Sequence, residues 1–339
     1  MCVRHEAFVL VFGVVVAGVA GQARAQPVVV ELGWVLEREI DFANPISALM
    51  NPADGMIYAG QRSQDVFVVN ADGSRTKIAD TDDVAGLCVD PRNGDLYMAE
   101  DYAGNVKRIA FVPLTYPGTL LTPGGMVSTD RGNGSAQEIW AWDTAAAQGE
   151  VQLFDTASEL VDPVDIAVRG DGVIAIADSG NGVLMFNDDA TVTPLVTTPA
   201  IVDADAAVFD GRSDDLFVLN IGAHSVLRVD IDTGVATDVI TDIPISGANW
   251  GGLNVYIGAD TQRIIVSSVE SDKIYVYAAV PGCNGADLAQ PFGLLDLADV
   301  TTFATAFLGM NPYADFNEDG LFDLADVLAY SATFLAGCP

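Results

Sequence analysis

The chain has few basic residues, and that shortage limits what it can bind. Its 339 residues include 15 Lys and Arg against 47 Asp and Glu, which gives a formal net charge of -32. A surface this acidic repels phosphate groups, so nucleic acids and anionic membranes are poor partners. Cations, basic proteins and neutral ligands such as sugars remain possible partners. Solubility alone explains much of the excess of acidic residues.

Residues that carry catalysis are also scarce. The sequence has no Cys-x-x-Cys pair, no His-x-x-x-His pair and no Gly-rich phosphate loop. His5 lies in the apolar N-terminal segment, so a Ser-His-Asp triad would have to use His224. His224 precedes a predicted strand, in a turn, where an exposed structural histidine is the stronger interpretation. The sequence therefore leans away from an enzyme.

Long apolar runs are absent beyond the N-terminus. Residues 8–20 form one apolar run, Arg4 precedes it, and Ala23-Arg-Ala25 is typical of a cleavage site. The run is too short for a comfortable membrane span, so residues 1–25 are predicted to be a Sec-type signal peptide. We expect a secreted or cell-surface protein that begins near Gln26 and has no membrane span.

Turn motifs recur about every 40 residues through the middle of the chain. Examples are Asn51-Pro-Ala-Asp-Gly55, Asp90-Pro-Arg-Asn-Gly94 and Arg169-Gly-Asp-Gly172, each between short apolar runs. Such a repeat predicts propeller blades. We expect a mainly β protein in which residues 26–280 form a six-bladed β-propeller, with residues 32–40 completing the last blade. Residues 163–178 resemble an NHL-type blade.

Acidic and aromatic residues fall in the loops that lead into the predicted inner strands. The candidate propeller-face site consists of Asp83, Asp165, Asp205, Asn249 and Trp250. Trp250 is the candidate contact for a carbohydrate or other small-molecule ligand. The fold resembles metal-dependent lactonases of the gluconolactonase type, which bind calcium or zinc through Glu, Asn and Asp. That resemblance implies an alternative function, a metal-dependent lactonase or hydrolase of sugar derivatives, although the matching loops lack Glu. A solvated acidic face is the other interpretation.

A twelve-position loop near the C-terminus carries calcium-binding chemistry. Oxygen side chains occupy positions 1, 3, 5, 9 and 12, Gly320 stands at position 6, and the backbone carbonyl of Leu321 is available at position 7. This is the EF-hand pattern of hard oxygen ligands, with Asp instead of Glu at position 12. The side-chain ligands are Asp315, Asn317, Asp319, Asp323 and Asp326.

The loop has a second, imperfect copy. Residues 293–300 recur as residues 320–327, and each copy leads into an apolar helical pattern. Val300, Phe303 and Phe307 form one predicted face, and Val327, Tyr330 and Phe334 form the other. In the first copy only Asp287, Asp296 and Asp299 remain as candidate ligands, so this site is predicted to be weaker, differently coordinated or empty.

Two such halves in residues 281–339, which we call the C-terminal module, resemble a GC-type dockerin. The resemblance implies calcium as cofactor and a cohesin-like or cell-surface protein as partner. It further implies that Leu297-Ala298 and Leu324-Ala325, next to the final ligands, contact that partner, unless both leucines are core. Cys283 and Cys338 bracket the module and are expected to form a disulfide, while Cys88 is expected to stay a buried free thiol.

Overall fold

We describe the fold from a computed structural model. It describes residues 26–338 apart from residues 32, 63–64, 71, 82–83, 91–92, 101–105, 112–120, 122–125, 131–137, 143–149, 156–159, 188, 202, 212, 246–250, 258–261, 280–283, 290–293, 309–313, 315 and 317–320. The predicted signal peptide therefore lies outside the described residues. None of the helices in the described part of the chain is both long enough and apolar enough to cross a membrane.

Strands precede two C-terminal helices. The strands are β1 Val28–Val29, β2 Trp34–Asp41, β3 Pro45–Met50, β4 Ile57–Gln61, β5 Val66–Val69, β6 Arg75–Ala79, β7 Val84–Val89, β8 Leu96–Glu100, β9 Val106–Phe111, β10 Met126–Asp130, β11 Glu138–Trp142, β12 Glu150–Asp155, β13 Pro163–Val168, β14 Ile174–Asp178, β15 Gly182–Phe186, β16 Val192–Pro194, β17 Ala204–Phe209, β18 Leu216–Asn220, β19 Ser225–Val229, β20 Ala236–Thr241, β21 Gly251–Ile257, β22 Gln262–Ser268 and β23 Lys273–Ala279. The helices are α1 Leu297–Leu308 and α2 Leu324–Ala336.

These strands form antiparallel sheets arranged like the blades of a propeller. The sheets found within the described residues are β3-β4-β5-β6, β7-β8, β9-β10-β11-β12, β13-β14-β15-β16, β17-β18-β19-β20-β1 and β21-β22-β23-β2. Their first strands contact one another in the order β3, β7, β9, β13, β17 and β21, and β21 contacts β3. The mainly β, propeller-like arrangement is thus confirmed.

The N-terminal strand β2 completes the last sheet, as the sequence predicts. It pairs antiparallel with β23 from Trp34 opposite Ala279 to Asp41 opposite Lys273. The buried Trp34 ring also meets Phe217 of the fifth sheet edge-to-face, at a centroid distance of 5.9 Å. A strand from the start of the chain therefore covers the edge that β23 would otherwise expose.

The strand assignments from the sequence are wrong in the third blade, where each strand holds a later place than predicted. The repeat pattern places residues 106–111 third in the second blade and residues 126–128 first in the third blade. In the structure β9 pairs with β10, with Phe111 opposite Met126, and β9 is the first strand of the third sheet. β9 has a sequence neighbour on each side, and it pairs with β10 across the longer of its two connections rather than with β8 across the shorter one.

The core lies between neighbouring sheets. In β18, all five residues from Leu216 to Asn220 are buried. Phe217 and Leu219 belong to one apolar cluster and Leu216 and Val218 to another. Each face of this strand thus packs against a different cluster, which explains why inner strands read as continuous apolar runs rather than as alternating ones.

A half-buried ion cluster around the buried Asp210 ties the N-terminal segment to the fifth sheet. The Arg228 guanidinium lies 3.1 Å from a Glu31 carboxylate oxygen, 2.6 Å from one of Asp210 and 3.4 Å from one of Asp215. It also stacks over Phe217, 4.6 Å from the ring centroid. Burial raises the pKa of Glu31, and Arg228 opposes that rise. One cation therefore offsets three carboxylates.

The two C-terminal helices pack through aromatic rings. Phe303 of α1 and Tyr330 of α2 are buried and stacked, with centroids 4.0 Å apart and planes 4° from parallel. Phe307 and Phe334 pack against them, as the helical patterns predict. Val300 is an exception, since it is 37% exposed, at the margin of its predicted face.

Candidate functional site

The final aspartate of each C-terminal loop holds that loop to its helix. In the first half, Asp299 Oδ1 accepts the backbone N–H groups of Leu288 and Ala289, both at 2.7 Å. In the second half, Asp326 Oδ1 accepts the N–H of Phe316 at 2.8 Å. Both aspartates are fully buried. The two halves thus use one hydrogen-bond scheme at equivalent positions.

The aspartate three residues earlier starts each helix. The N–H of Asp296 donates to Asp299 Oδ2 at 2.8 Å, and the N–H of Asp323 donates to Asp326 Oδ2 at 2.9 Å. Asp323 in turn accepts the N–H of Ala325 at 2.7 Å, which completes a capping box. Such caps satisfy N–H groups that the first helical turn leaves free and favour negative charge there.

The donor set suits a hard cation in the second loop better than in the first. Asp315, Asn317 and Asp319 lie outside the described residues, whereas Leu321, Asp323 and Asp326 are described. In the part of the chain that the structure describes, no three Asp, Glu, His or Cys side chains gather as a metal-binding group. Since Asp287, Asp296 and Asp299 all belong to that part, the first loop does not assemble a carboxylate triad. Calcium binding stays a prediction for both loops.

The leucines beside the final ligands project into solvent. Leu297 is 77% exposed and Leu324 is 69% exposed, while Ala298 is half-buried and Ala325 is exposed. Neither leucine is a core residue of the C-terminal module, which removes the interpretation that both are core. Leu308 and Leu335, at the other ends of the two helices, are 82% and 83% exposed.

A clasp that the sequence analysis did not identify joins the ends of the C-terminal module. Asn284 Nδ2 donates to the carbonyl oxygens of Thr333 and Gly337, both at 2.9 Å. Residue 284 thus lies beside the end of α2. Cys338 is not a free thiol, whereas Cys88 is free and burial raises its pKa to about 12. Cys283 lies outside the described residues, so its pairing with Cys338 stays a prediction.

We expect peptide mapping of the non-reduced protein to find Cys283 linked to Cys338 and Cys88 reduced. The Asn284 clasp brings the two flanking segments together, and a disulfide there stabilises the module by about 4 kcal/mol on the chain-entropy model. A peptide that joins Cys88 to either of the other two cysteines would contradict both the pairing and the proposed boundary of the C-terminal module.

Two of the predicted propeller-face aspartates join neighbouring sheets. Asp165 Oδ2 accepts the N–H of Ala207 at 3.1 Å, and Asp205 Oδ2 accepts the N–H of Gly251 at 2.9 Å. Both carboxylates are buried. Each therefore connects the first strand of one sheet to that of the next. Asp83, Asn249 and Trp250 lie outside the described residues.

The first strands surround a cavity of about 360 Å³. Most of its lining residues are apolar, including Leu49, Val168 and Phe209, and the charged residues Asp165 and Arg169 also contribute to the wall. The lining residues come mainly from the later parts of the first strands and the turns that follow them, rather than from the acidic loops that precede those strands. The cavity thus favours an apolar or mixed ligand over a highly charged one.

His224 has a structural role. It is exposed, adopts a left-handed backbone conformation at φ 55°, and its N–H donates to the carbonyl of Ile221 at 3.1 Å. Its own carbonyl accepts the N–H of Ile243 at 2.9 Å. This agrees with the interpretation of His224 as a turn residue.

Comparison with known proteins identifies the fold and no family. No family model matches the sequence, and no curated protein matches it. A solved structure of virginiamycin B lyase from Staphylococcus aureus is similar, with 14% identity, a TM-score of 0.50, and coverage of 72% of this chain and 99% of that one. A gluconolactonase from Xanthomonas campestris is similar with 13% identity, a TM-score of 0.52, and coverage of 70% and 87%. At such identities the likeness shows a β-propeller fold and leaves the function open.

Proposed function

We propose that this chain is a secreted β-propeller protein attached to a partner through its C-terminal module, which binds calcium as a GC-type dockerin does. The propeller, with six NHL-type blades, binds a carbohydrate, another small molecule or a protein. The observation that carries the proposal is the pair of exposed leucines, Leu297 and Leu324, at equivalent positions beside Asp299 and Asp326. Two similar loop–helix halves that present the same apolar residue suit an adaptor better than a catalyst.

Six blades are supported by the contacts among the first strands, which run through six sheets and return from β21 to β3. The second sheet has two strands among the described residues, so the complete blade count is part of the proposal. A ring of this kind presents loops on two faces and a central cavity. It is a common scaffold for recognition.

Calcium would be held by the second loop. Asp315, Asn317 and Asp319 would supply side-chain oxygens, Leu321 its carbonyl, and Asp323 and Asp326 the remaining carboxylates. Bound calcium would neutralise acidic groups that repel one another at the start of α2. Because the buried Asp326 also holds Phe316 and Asp323, metal binding would stabilise the same contacts that order the loop.

The partner would be a cohesin-like or cell-surface protein with an apolar docking surface. Burying an exposed leucine contributes roughly 1.5–3 kcal/mol, so two leucines account for a substantial part of a stable interface. We expect the double substitution Leu297→Asp with Leu324→Asp to abolish capture by a panel of immobilised cohesin domains, measured by biolayer interferometry in calcium. Calcium affinity should stay within about threefold, because neither side chain is a ligand.

The matched control is Leu308→Asp with Leu335→Asp, which adds the same charges at equally exposed positions on the same helices. This control should retain capture. Equal loss in both double variants would point to general charge repulsion, and unchanged capture in the first would remove the leucines from the interface.

A metal-dependent lactonase or hydrolase acting on sugar derivatives is the second candidate. The fold similarity to a gluconolactonase and the buried Asp165 beside the cavity favour it. The hydrogen bonds that commit Asp165 and Asp205 to neighbouring strands favour the binding role instead. Hydrolysis of gluconolactone by the purified chain in calcium or zinc, lost in Asp205→Ala, would establish the second candidate.

A further inference from the structure

Asn220 carries a polar atom that the fold leaves unsatisfied. Its side chain is buried, with 7% of its surface exposed, and its Oδ1 has no hydrogen-bond partner. Although Asn220 precedes the short 3-10 helix Ile221–Ala223, its side chain caps no N–H group. A buried carbonyl oxygen without a donor destabilises the fold, so a ligand for it is expected.

The equivalent residue of the fourth sheet shows what Asn220 lacks. Asp178 ends β14 as Asn220 ends β18, and its carboxylate accepts four backbone N–H groups, from Val161, Asp162, Gly180 and Asn181, at 2.8–3.1 Å. In the fifth sheet the chain turns differently after β18, and those donors are not supplied to Asn220 Oδ1. The side-chain oxygens at this position thus accept backbone hydrogen bonds in the fourth sheet, whereas Asn220 Oδ1 accepts none in the fifth sheet.

Asp203 lies close to this oxygen, and the carboxylate of Asp162 lies near that of Asp203. A Cβ added at Gly222 would lie 3.4 Å from Asp203 Cβ and 3.7 Å from Asn220 Oδ1, which shows that both border the same small space. Gly222 is exposed, so the space opens to solvent. Burial raises the pKa of Asp203, and the negative charge of nearby Asp162 raises it further. Ser179 Oγ donates to Asp162 Oδ2 at 2.8 Å, which holds that carboxylate in place.

We infer that Asp162, Asp203 and Asn220 form a calcium site between the fourth and fifth sheets of the propeller, on the face that carries the loops leading into the first strands. Two carboxylates and one amide oxygen are hard ligands, and water completes the coordination that calcium requires. The cation would relieve the repulsion between the two aspartates and satisfy Asn220 Oδ1. It would also link the loop before β13 to the loop before β17. The site is separate from the C-terminal module.

Calorimetric titration of calcium into the full chain carrying Asp299→Ala and Asp326→Ala tests the site, since both C-terminal loops then lack their final ligand. One calcium site should remain. Adding Asn220→Leu, which keeps the side-chain size and removes the oxygen, should weaken that site by roughly tenfold or more. Asp203→Asn should weaken it similarly, and Asp189→Asn, in an exposed turn of the fourth sheet, should not.

Gly222→Ala keeps the test decisive if Asn220→Leu fails to fold. Its Cβ makes ordinary van der Waals contacts, so the propeller should fold normally while the methyl group occupies the space beside the ligands. Absence of a calcium site in the starting variant, or affinity unchanged by Gly222→Ala and Asp203→Asn, would overturn the inference. Neither result would bear on calcium binding by the C-terminal module, which is measured in the unmodified loops.

Discussion

Replacing Asp326 by alanine should abolish the calcium response of the C-terminal module. The substitution removes a predicted ligand and leaves the N–H groups of Phe316 and Asp323 without their acceptor. Phe316 is half-buried and Asp323 is exposed, so water can replace part of the lost hydrogen bonding. The module should still be less stable before calcium is added, by less than the roughly 1–3 kcal/mol that each fully buried N–H would cost. Calcium at about 100 times its dissociation constant stabilises by about 2.7 kcal/mol, and thermal unfolding monitored at the module should lose that shift.

Asp299→Ala is the matched control for Asp326→Ala. It removes the equivalent buried carboxylate from the first loop and leaves the N–H groups of Leu288, Ala289 and Asp296 unpaired. The loss of stability without calcium should be similar. The calcium shift should persist, because the second loop keeps its ligands. If Asp299→Ala alone removed the shift, the functional calcium site would belong to the first loop.

Replacing Arg228 by methionine should destabilise the propeller strongly, and more than the replacement of Arg263 by methionine. Arg228 offsets Glu31, Asp210 and Asp215, and Asp210 is buried, with 3% of its surface exposed. Removing one partner of a buried ion pair costs about 3–5 kcal/mol, because the remaining charge stays buried. We expect the Tm to fall by roughly 10 °C in calorimetry.

The pH dependence of the Arg228→Met variant follows from Glu31. Burial raises the pKa of Glu31, so its ionised form costs stability at neutral pH, and that cost disappears as the pH falls through the pKa of the folded state. Without Arg228 this pKa rises further. The gap between variant and wild type should therefore be widest near neutral pH and narrower under mildly acidic conditions.

Arg263→Met is the control for Arg228→Met. Arg263 pairs with Glu37 at 2.6 Å, but this pair lies nearer the surface, with Glu37 41% exposed. Such pairs contribute about 0–1 kcal/mol, so the Tm should change little. An equal fall in Tm in the two variants would mean that the ion pairs of Arg228 stabilise the propeller no more than a surface ion pair does.

Local patterns in the sequence were enough to predict the strands, the closure by β2 and the two C-terminal helices. The pairing of β9 was not, because hydrogen-bond partners in a sheet depend on the path of the chain between strands. The same limit applies to Asp165 and Asp205. They lie in the loops and strands that the repeat predicts. The carboxylate of each, however, accepts a backbone N–H from a strand about 40 residues later in the chain.

The leucines beside the final ligands show a similar limit. Loop position predicts that Leu297 and Leu324 cannot be calcium ligands, but it does not decide between core and surface. Burial of the neighbouring Asp299 and Asp326, together with the Phe303–Tyr330 stack, turns the leucines outward. No sequence signal indicated that the Asn220 side chain would accept no hydrogen bond from the 3-10 helix that follows it. That outcome depends on how the chain turns after β18.

The most direct test of the adaptor proposal is the calcium dependence of partner capture. Binding of the full chain to cohesin domains should be measured at increasing free calcium, for the wild type and for Asp326→Ala. We expect wild-type capture to appear as calcium saturates the second loop, to disappear with a chelator, and to be absent from Asp326→Ala. Capture that is equally strong in chelator, or unaffected by Asp326→Ala, would contradict the adaptor proposal.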